Sequence, residues 1–565
     1  MELLKKAKDG AFWHELKTSP AYRKCVEEIK RVYSENNTLP LPPLTKEMRS
    51  LFDTKGSRKE FEAVYFQRRR FLTTASLLAL LYPEEPRYLE ETELLLRATC
   101  KEYSWALPAH TSGMDDEKTK TFIDLFTAET GLAVAEICYL LQDRLNAGVR
   151  TSAEREVRRR VIDSFMNTSF WWEKDASNWA AVCAGNVCGA FLYLAPELYE
   201  RVAPRIDSAI ECFLSSYTDE GVCLEGFTYW HFGYGEFVWF ADLLKQFTNG
   251  RKDYFKHEKA EASAGHVLRS FLSGNTTVSF SDGVRRGKAD IALISYLCKQ
   301  YPNSFHPLPA EVTSFPTGNG DWLQLSRLCL YYDPAFLDGT LPQKDFFLPQ
   351  AGQAIINRKR YSLAVKAGHN AEPHNHNDIG SFILSTEQGQ MLVDLGAGLY
   401  TKQYFDERTR YDILCNSSFG HSVPIVNGAP QRAGKQFFGT ISKTDETITV
   451  NFATAYGQPA FQKLERRFVC EDDRVTLTDS FAPDYKSLTE RFVSLIPPAV
   501  QADCVRIGSV VIRFDSKQVT PALSYGTHTL HEPEDGRDEL TVYLLNFRLK
   551  QGLSSVTFEF LLGGE

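Results

Sequence analysis

Four short segments gather the side chains best suited to acid–base or metal chemistry. The densest is His374-Asn375-His376-Asn377-Asp378, which runs into Ile379-Gly380-Ser381-Phe382. On a strand, the two-residue period places His374, His376 and Asp378 on one face, so that two imidazoles and a carboxylate converge; the plainer reading is a polar loop ahead of a strand. Further on stand Asp394 and His421. With His376 they make a two-histidine, one-carboxylate set suited to zinc, completed by water or a fourth side chain. The second segment, Glu225 to Tyr234, is dense in aromatic rings and includes Glu225, Tyr229, His231 and Tyr234. Such a run packs as core or as the wall of a cleft, and its polar tips need partners in either case. In the third, Ser177-Asn178-Trp179, Asn178 either caps a helix or turns its amide toward a ligand carboxylate, which the helix N-terminus also favours. The fourth, Trp105-Ala106-Leu107-Pro108-Ala109-His110, puts a histidine and a tryptophan near a proline-broken turn, suiting a sugar ring or a core equally.

These segments require two kinds of scaffold. Residues 1 to about 305 carry helical periodicity. An amphipathic helix is expected within Phe122–Leu145, another opening at the capping-box pattern Thr151-Ser152-Ala153-Glu154, an apolar and therefore buried one over Ala180–Leu194, and a fourth over Gly235–Phe247. Pro302, Pro307, Pro309, Pro316, Gly318 and Gly320 then mark a linker. Beyond it, period-two runs such as Arg474-Val475-Thr476-Leu477-Thr478 and Ser555-Val556-Thr557-Phe558-Glu559-Phe560 predict an antiparallel sandwich, because no helices intervene between them. The expected domains are 1–310, helical, and 311–565, β-sandwich.

At 565 residues the chain exceeds one ordinary core. Apolar residues at 43% and charged residues at 24% are the balance of a globular protein, and aromatics at 13% suit a carbohydrate cleft as well as a core. A net charge of −8 argues against nucleic acid as a partner. An acidic ligand would need local basic groups, for which Arg68-Arg69-Arg70, Arg158-Arg159-Arg160 and Arg285-Arg286 are candidates; for the first two runs a solvated helix face is the favoured reading. No stretch has the length and apolarity of a membrane span, and the N-terminal residues lack the apolar stretch of a secretory signal, so a cytoplasmic location is expected. The twelve cysteines form no CxxC pair and read as small buried hydrophobes.

Taken in order, Trp105–His110, Asn178-Trp179, Glu225–Tyr234, His374–Phe382, Asp394-Leu395-Gly396 and Gly420-His421-Ser422-Val423-Pro424 resemble the heparinase II/III family of polysaccharide lyases. The resemblance implies an N-terminal incomplete (α/α) toroid, a C-terminal antiparallel β-sandwich and a cleft active site between them. It implies β-elimination on a uronate: Asn178 neutralises the carboxylate, Tyr229 donates the proton to the leaving oxygen, and His374 or Tyr229 removes the C5 proton. His110, Trp105, Glu225 and Tyr234, whose types suit a sugar cleft, are the expected substrate-binding residues, with Tyr234 second to Tyr229 for the catalytic role. The resemblance gives His376, Asp394 and His421 a structural zinc. Trp230 departs from the pattern where several relatives have histidine, and Asn178 in place of histidine leaves the uronate epimer open. The expected partner is an acidic oligosaccharide, such as a heparan sulfate, hyaluronan or chondroitin fragment, attacked exolytically. Alginate or another oligouronate, a glycoside hydrolase using Glu225 and Glu129, and an inactive carbohydrate sensor remain alternatives, and self-association is left open.

Overall fold

The structure, a computed structural model, describes residues 3–315, 322–482 and 484–563. The part of the expected linker holding Pro316, Gly318 and Gly320 lies outside the described residues. Two compact units emerge: Met1–Ser216, His231–Ala264 and Lys288–Thr340 form the first, and Tyr217–Trp230, Gly265–Gly287 and Leu341–Glu565 the second. A single cut at residue 310 therefore does not follow the packing.

The first unit is helical. Its main helices are α1 (Arg23–Asn36), α2 (Lys59–Leu81), α3 (Pro86–Cys100), α4 (Leu125–Leu140), α5 (Ala147–Val157), α6 (Asn178–Leu194), α7 (Tyr199–Ser215), α8 (Gly235–Phe247), α9 (Ile291–Gln300) and α10 (Trp322–Tyr331). Helices α2, α4, α6, α8 and α10 touch in succession and α10 returns to α2, while α1, α3, α5 and α7 pack against members of that ring. This is an (α/α) toroid. Ring helices such as α6 are apolar all round because they are covered on every side; α1 and α7 carry a single buried stripe. Asn146, not Thr151, caps α5, its side chain accepting from Gly148 and Val149.

Helix α10 explains why the first unit extends past residue 310. The buried carboxylate of Glu136 on α4 accepts from Trp322 Nε1 (2.9 Å), Arg327 Nη2 (3.0 Å) and Tyr193 Oη (2.9 Å). Losing one partner of such a buried ion pair typically costs about 3–5 kcal/mol. The prolines thus lie within a connection between two helices of one unit, rather than between two domains.

The second unit is built on antiparallel sheets. One has five strands: β1 (Phe346–Leu348), β2 (Gln353–Asn357), β3 (Ser362–Lys366), β4 (Phe382–Thr386) and β5 (Gly389–Leu392), in the order β5-β4-β3-β2-β1. A nine-stranded sheet centres on β6 (Leu464–Cys470), β7 (Arg474–Phe481) and a strand at Ser555–Leu562, and a four-stranded sheet includes Leu488–Ser494. Along β7 burial alternates, with Val475, Leu477 and Phe481 inward. Strands β3 and β4 are buried throughout, since each of their faces meets a different core. Leu363, Val365, Phe382 and Leu384 join the sandwich core, whereas Ala364 and Ile383 pack with Val222, Leu272 and Phe280. That second core holds residues 217–230 and 265–287 in this unit, although both stretches lie within the helical half of the sequence.

Candidate active site and metal centre

Residues 371–381 form an irregular loop between a short strand, Gly368–Asn370, and β4, rather than the expected strand. His374 has φ +54°, a left-handed conformation that breaks the two-residue alternation. The three side chains therefore take separate partners. Asp378 pairs with buried Lys366 Nζ at 2.8 Å, His376 lies beside His421 with ring centroids 5.4 Å apart, and His374 stacks on Tyr229 at 4.1 Å. The loop is held at several points. Gln431 accepts from Ile379 N–H (3.0 Å) and donates to Ile379 carbonyl (2.6 Å). Arg466 on β6, fully buried between Asp479 and Glu490, donates to the carbonyls of Gly380 (2.8 Å) and Ser422 (2.7 Å), joining the His374–His376 loop to the one bearing His421.

His376, Asp394 and His421 are all inaccessible to solvent, and one donor atom from each lies within 4.8 Å of the others. His421 places Nδ1 3.0 Å from Asp394 Oδ2 and Nε2 2.7 Å from the Cys415 carbonyl. His376 places Nε2 3.0 Å from Asp282 Oδ1, while its buried Nδ1 has no hydrogen-bond partner among the described residues. Leaving such a group unsatisfied is costly. His421 turns Nδ1 to the Asp394 carboxylate and Nε2 to a carbonyl, and the Nε2 of His376 faces a second carboxylate; two imidazoles and a carboxylate gathered this closely are a donor set of the kind zinc takes.

Asp282, at the centre of the candidate site, is a residue that sequence reasoning missed. Oδ2 lies 2.6 Å from His374 Nδ1 and accepts from Tyr400 Oη at 3.0 Å; Oδ1 accepts from Tyr404 Oη and lies 3.0 Å from His376 Nε2. The Tyr400 and Tyr229 hydroxyls are 2.6 Å apart, and His374 Nε2 is 3.5 Å from Glu225 Oε2. Burial alone would push the Asp282 carboxyl upward, but the hydrogen bonds and charges of the two histidines hold it well below the usual carboxylate range. Burial, with the neighbouring Tyr229 and Asp282, drives Tyr400 well up, so it keeps its proton. For His374, burial opposes the imidazolium, yet Asp282 and Glu225 outweigh it and the result is raised. Tyr400 and Tyr404 were likewise unforeseen. The one local signal for Asp282 is a polar Ser281-Asp282-Gly283 turn.

A close backbone approach places that turn. Ser279 Oγ donates to the Asp394 carbonyl (3.0 Å), and Ala397 N–H donates to the Gly283 carbonyl (3.2 Å). Gly396 has φ +65°, and a Cβ there would sit 2.1 Å from the Gly283 carbonyl oxygen, so only glycine fits.

In the first unit, Asn178 is buried in the opening turn of α6, whose cap is Ser177. Glycine at 233 makes room for it, since a Cβ there would fall 2.8 Å from that of Asn178. His110 places Nδ1 2.8 Å from Asp124, and its half-buried ring meets Trp179 at 4.9 Å. Two expected ligand-binding residues are instead core. Trp105 is 1% exposed, donates to the Thr99 carbonyl (3.0 Å) and lies under the Arg160 guanidinium. Tyr234 is 0% exposed and donates to the Ala260 carbonyl (2.5 Å). The arginine runs are also engaged: Arg68 and Arg69 bind Glu102 in a buried cluster rather than on a solvated helix face, Arg160 binds Glu156, and Arg285 binds Glu534.

Residues 340–556 match the model of the family described as heparinase II/III-like, C-terminal. No curated protein matches the sequence significantly. Among solved structures, a crystal structure of heparinase III aligns with a TM-score of 0.65 at 13% identity, covering 97% of this chain and 93% of that one. The heparan sulfate lyase HepC from Pedobacter heparinus aligns with 0.58 at 11% identity, covering 99% and 93%. Chondroitin AC lyase from Streptomyces coelicolor A3, in complex with chondroitin sulphate, aligns with 0.57 at 12% identity, covering 98% and 82%. At these identities the likeness is one of fold.

Proposed function

We propose that this chain, which carries a heparinase II/III-like C-terminal domain at residues 340–556 on a fold shared with solved polysaccharide lyases, is a lyase that opens uronate-containing glycans by β-elimination. The observation that carries the reading is the stacking of Tyr229 on His374, at 4.1 Å, beside the buried carboxylate of Asp282. In the reaction the C5–H bond breaks, its electron pair forms the C4–C5 double bond, and the C4–O4 bond breaks as O4 takes a proton. One group must accept a proton and another deliver one. His374 is the proposed base, through Nε2, and Tyr229 the proposed acid, with the base role also open to Tyr229. Charge developing at the uronate carboxylate needs a donor, and Asn178, in a first helical turn where the dipole favours negative charge, is the proposed one.

A zinc ion bound to His376, Asp394 and His421 would supply structural cross-linking of the loops behind His374. The proposed substrate is an acidic oligosaccharide, in keeping with the heparan sulfate and chondroitin lyases that share the fold, attacked from one end. Heparan sulfate, hyaluronan, chondroitin and alginate oligosaccharides incubated with the protein test the reading through ultraviolet absorbance, because the new double bond is conjugated to the carboxylate. A rise with at least one substrate is expected. No rise with any of them would refute it.

A further inference from the structure

A carboxylate has about four lone-pair sites and, once ionised, only accepts. Asp282 is fully buried and faces four groups that carry exchangeable hydrogens: His374 Nδ1, His376 Nε2, Tyr400 Oη and Tyr404 Oη. We infer that Asp282 is a positioning residue that fixes where four protons rest, and so joins the candidate metal centre to the reacting pair. Each contact must be a donor, and three consequences follow from that one condition.

First, His374 in its neutral form carries its hydrogen on Nδ1, leaving the lone pair on Nε2, the nitrogen 3.5 Å from Glu225. Second, neutral His376 carries its hydrogen on Nε2 and keeps its lone pair on Nδ1, the buried atom without a hydrogen-bond partner among the described residues. Third, Tyr400 donates to Asp282, so across the 2.6 Å contact it must accept from Tyr229. The hydroxyl chain therefore runs in one direction, Tyr229 to Tyr400 to Asp282, and the resting Tyr229 proton points toward Tyr400.

The inference rests on the lyase reading only where activity is measured. In the full-length protein, Asp282→Asn keeps the size of the side chain but turns one acceptor into a donor. Expected are a fall in kcat of at least about 100-fold with KM within about threefold, since a misplaced proton affects turnover more than binding, and zinc affinity lowered about 10–100-fold through His376. Wild-type kcat and zinc affinity in this variant would overturn the inference.

A second measurement needs no substrate and reads the wild-type protein. Nitrogen-15 spectra of the wild-type imidazoles, assigned against His374→Ala and His376→Ala, should show His374 protonated at Nδ1 and His376 at Nε2; the opposite tautomer at either ring would overturn the inference. If no oligouronate gives unsaturated product, the lyase reading falls, and the spectra still decide the role of Asp282.

Discussion

At the scale of single residues, the loop from 371 to 381 gives its two histidines different partners, and substitution should separate the tasks proposed for them. Removing the His376 ring takes away one of three donors, so His376→Ala is expected to lose bound zinc on metal analysis. His374→Ala should keep its zinc and lose turnover, because His374 contacts Asp282, Glu225 and Tyr229 rather than the other two donors. Tyr229→Phe deletes one hydroxyl at a half-buried site. Its kcat should fall about 10²–10⁴-fold, with stability in denaturant titration changed by no more than about 1 kcal/mol. The gathering of His376, Asp394 and His421 was legible in the sequence because histidine and aspartate in a β-rich region invite that grouping whatever the loop geometry. Asp282 was not. A lone aspartate in a Ser-Asp-Gly turn has an ordinary structural explanation, and only its four partners, three of them beyond residue 374, distinguish it.

At the scale of elements, the site depends on loops pinned by backbone contacts that leave no pattern in hydrophobic periodicity. The ring helices were legible because their apolar residues recur at helical steps, and the sandwich strands because burial alternates. Helix α10 was not: ten residues, Trp322–Tyr331, follow a run of prolines that signals a linker, and their place is set by Glu136 far away in sequence. The left-handed His374 likewise defeated a strand assignment, since its neighbours give no warning of the turn. The contact between Gly283 and Gly396 offers a direct test. Gly396→Ala would force a left-handed alanine and drive its Cβ against a carbonyl oxygen. A loss of about 2–5 kcal/mol in denaturant unfolding is expected, together with lost zinc, because Asp394 lies two residues away. Retention of both would show that the two turns can separate without harm.

For the whole molecule, each of the three arginine runs has members paired with carboxylates, so much of its charge is already offset within a protein of net charge −8. Buried titratable groups set the response to acid. Burial keeps His266 and His528 neutral, their values lowered to about 3 and about 4 from 6.5. The unfolded chain therefore binds protons first as pH falls below 6.5, and each group removes about 2 kcal/mol of stability by pH 5. Glu372 acts in the opposite sense: burial, only partly opposed by Lys366, raises it to about 7 from 4.5, so the folded state gains protons first and recovers about 2 kcal/mol over the same interval. Urea unfolding at pH 7.5 and pH 5 should show a net acid loss, and Glu372→Gln should steepen it. An unchanged slope in that variant would place the Glu372 carboxyl in the ordinary range.

The interleaving of the two units bears on how such a protein could be recombined. Glu225 and Tyr229 come from residues 217–230, Asp282 from 265–287, and the histidines and Tyr400 from the stretch after 340. A chimaera joined at residue 340 would inherit His376, Asp394 and His421 as a complete cassette, but would draw its tyrosine and its central aspartate from the other parent. The stretch that matches a family by sequence would thus carry over the candidate metal ligands alone, while the proposed catalytic set belongs to no single contiguous piece of the gene.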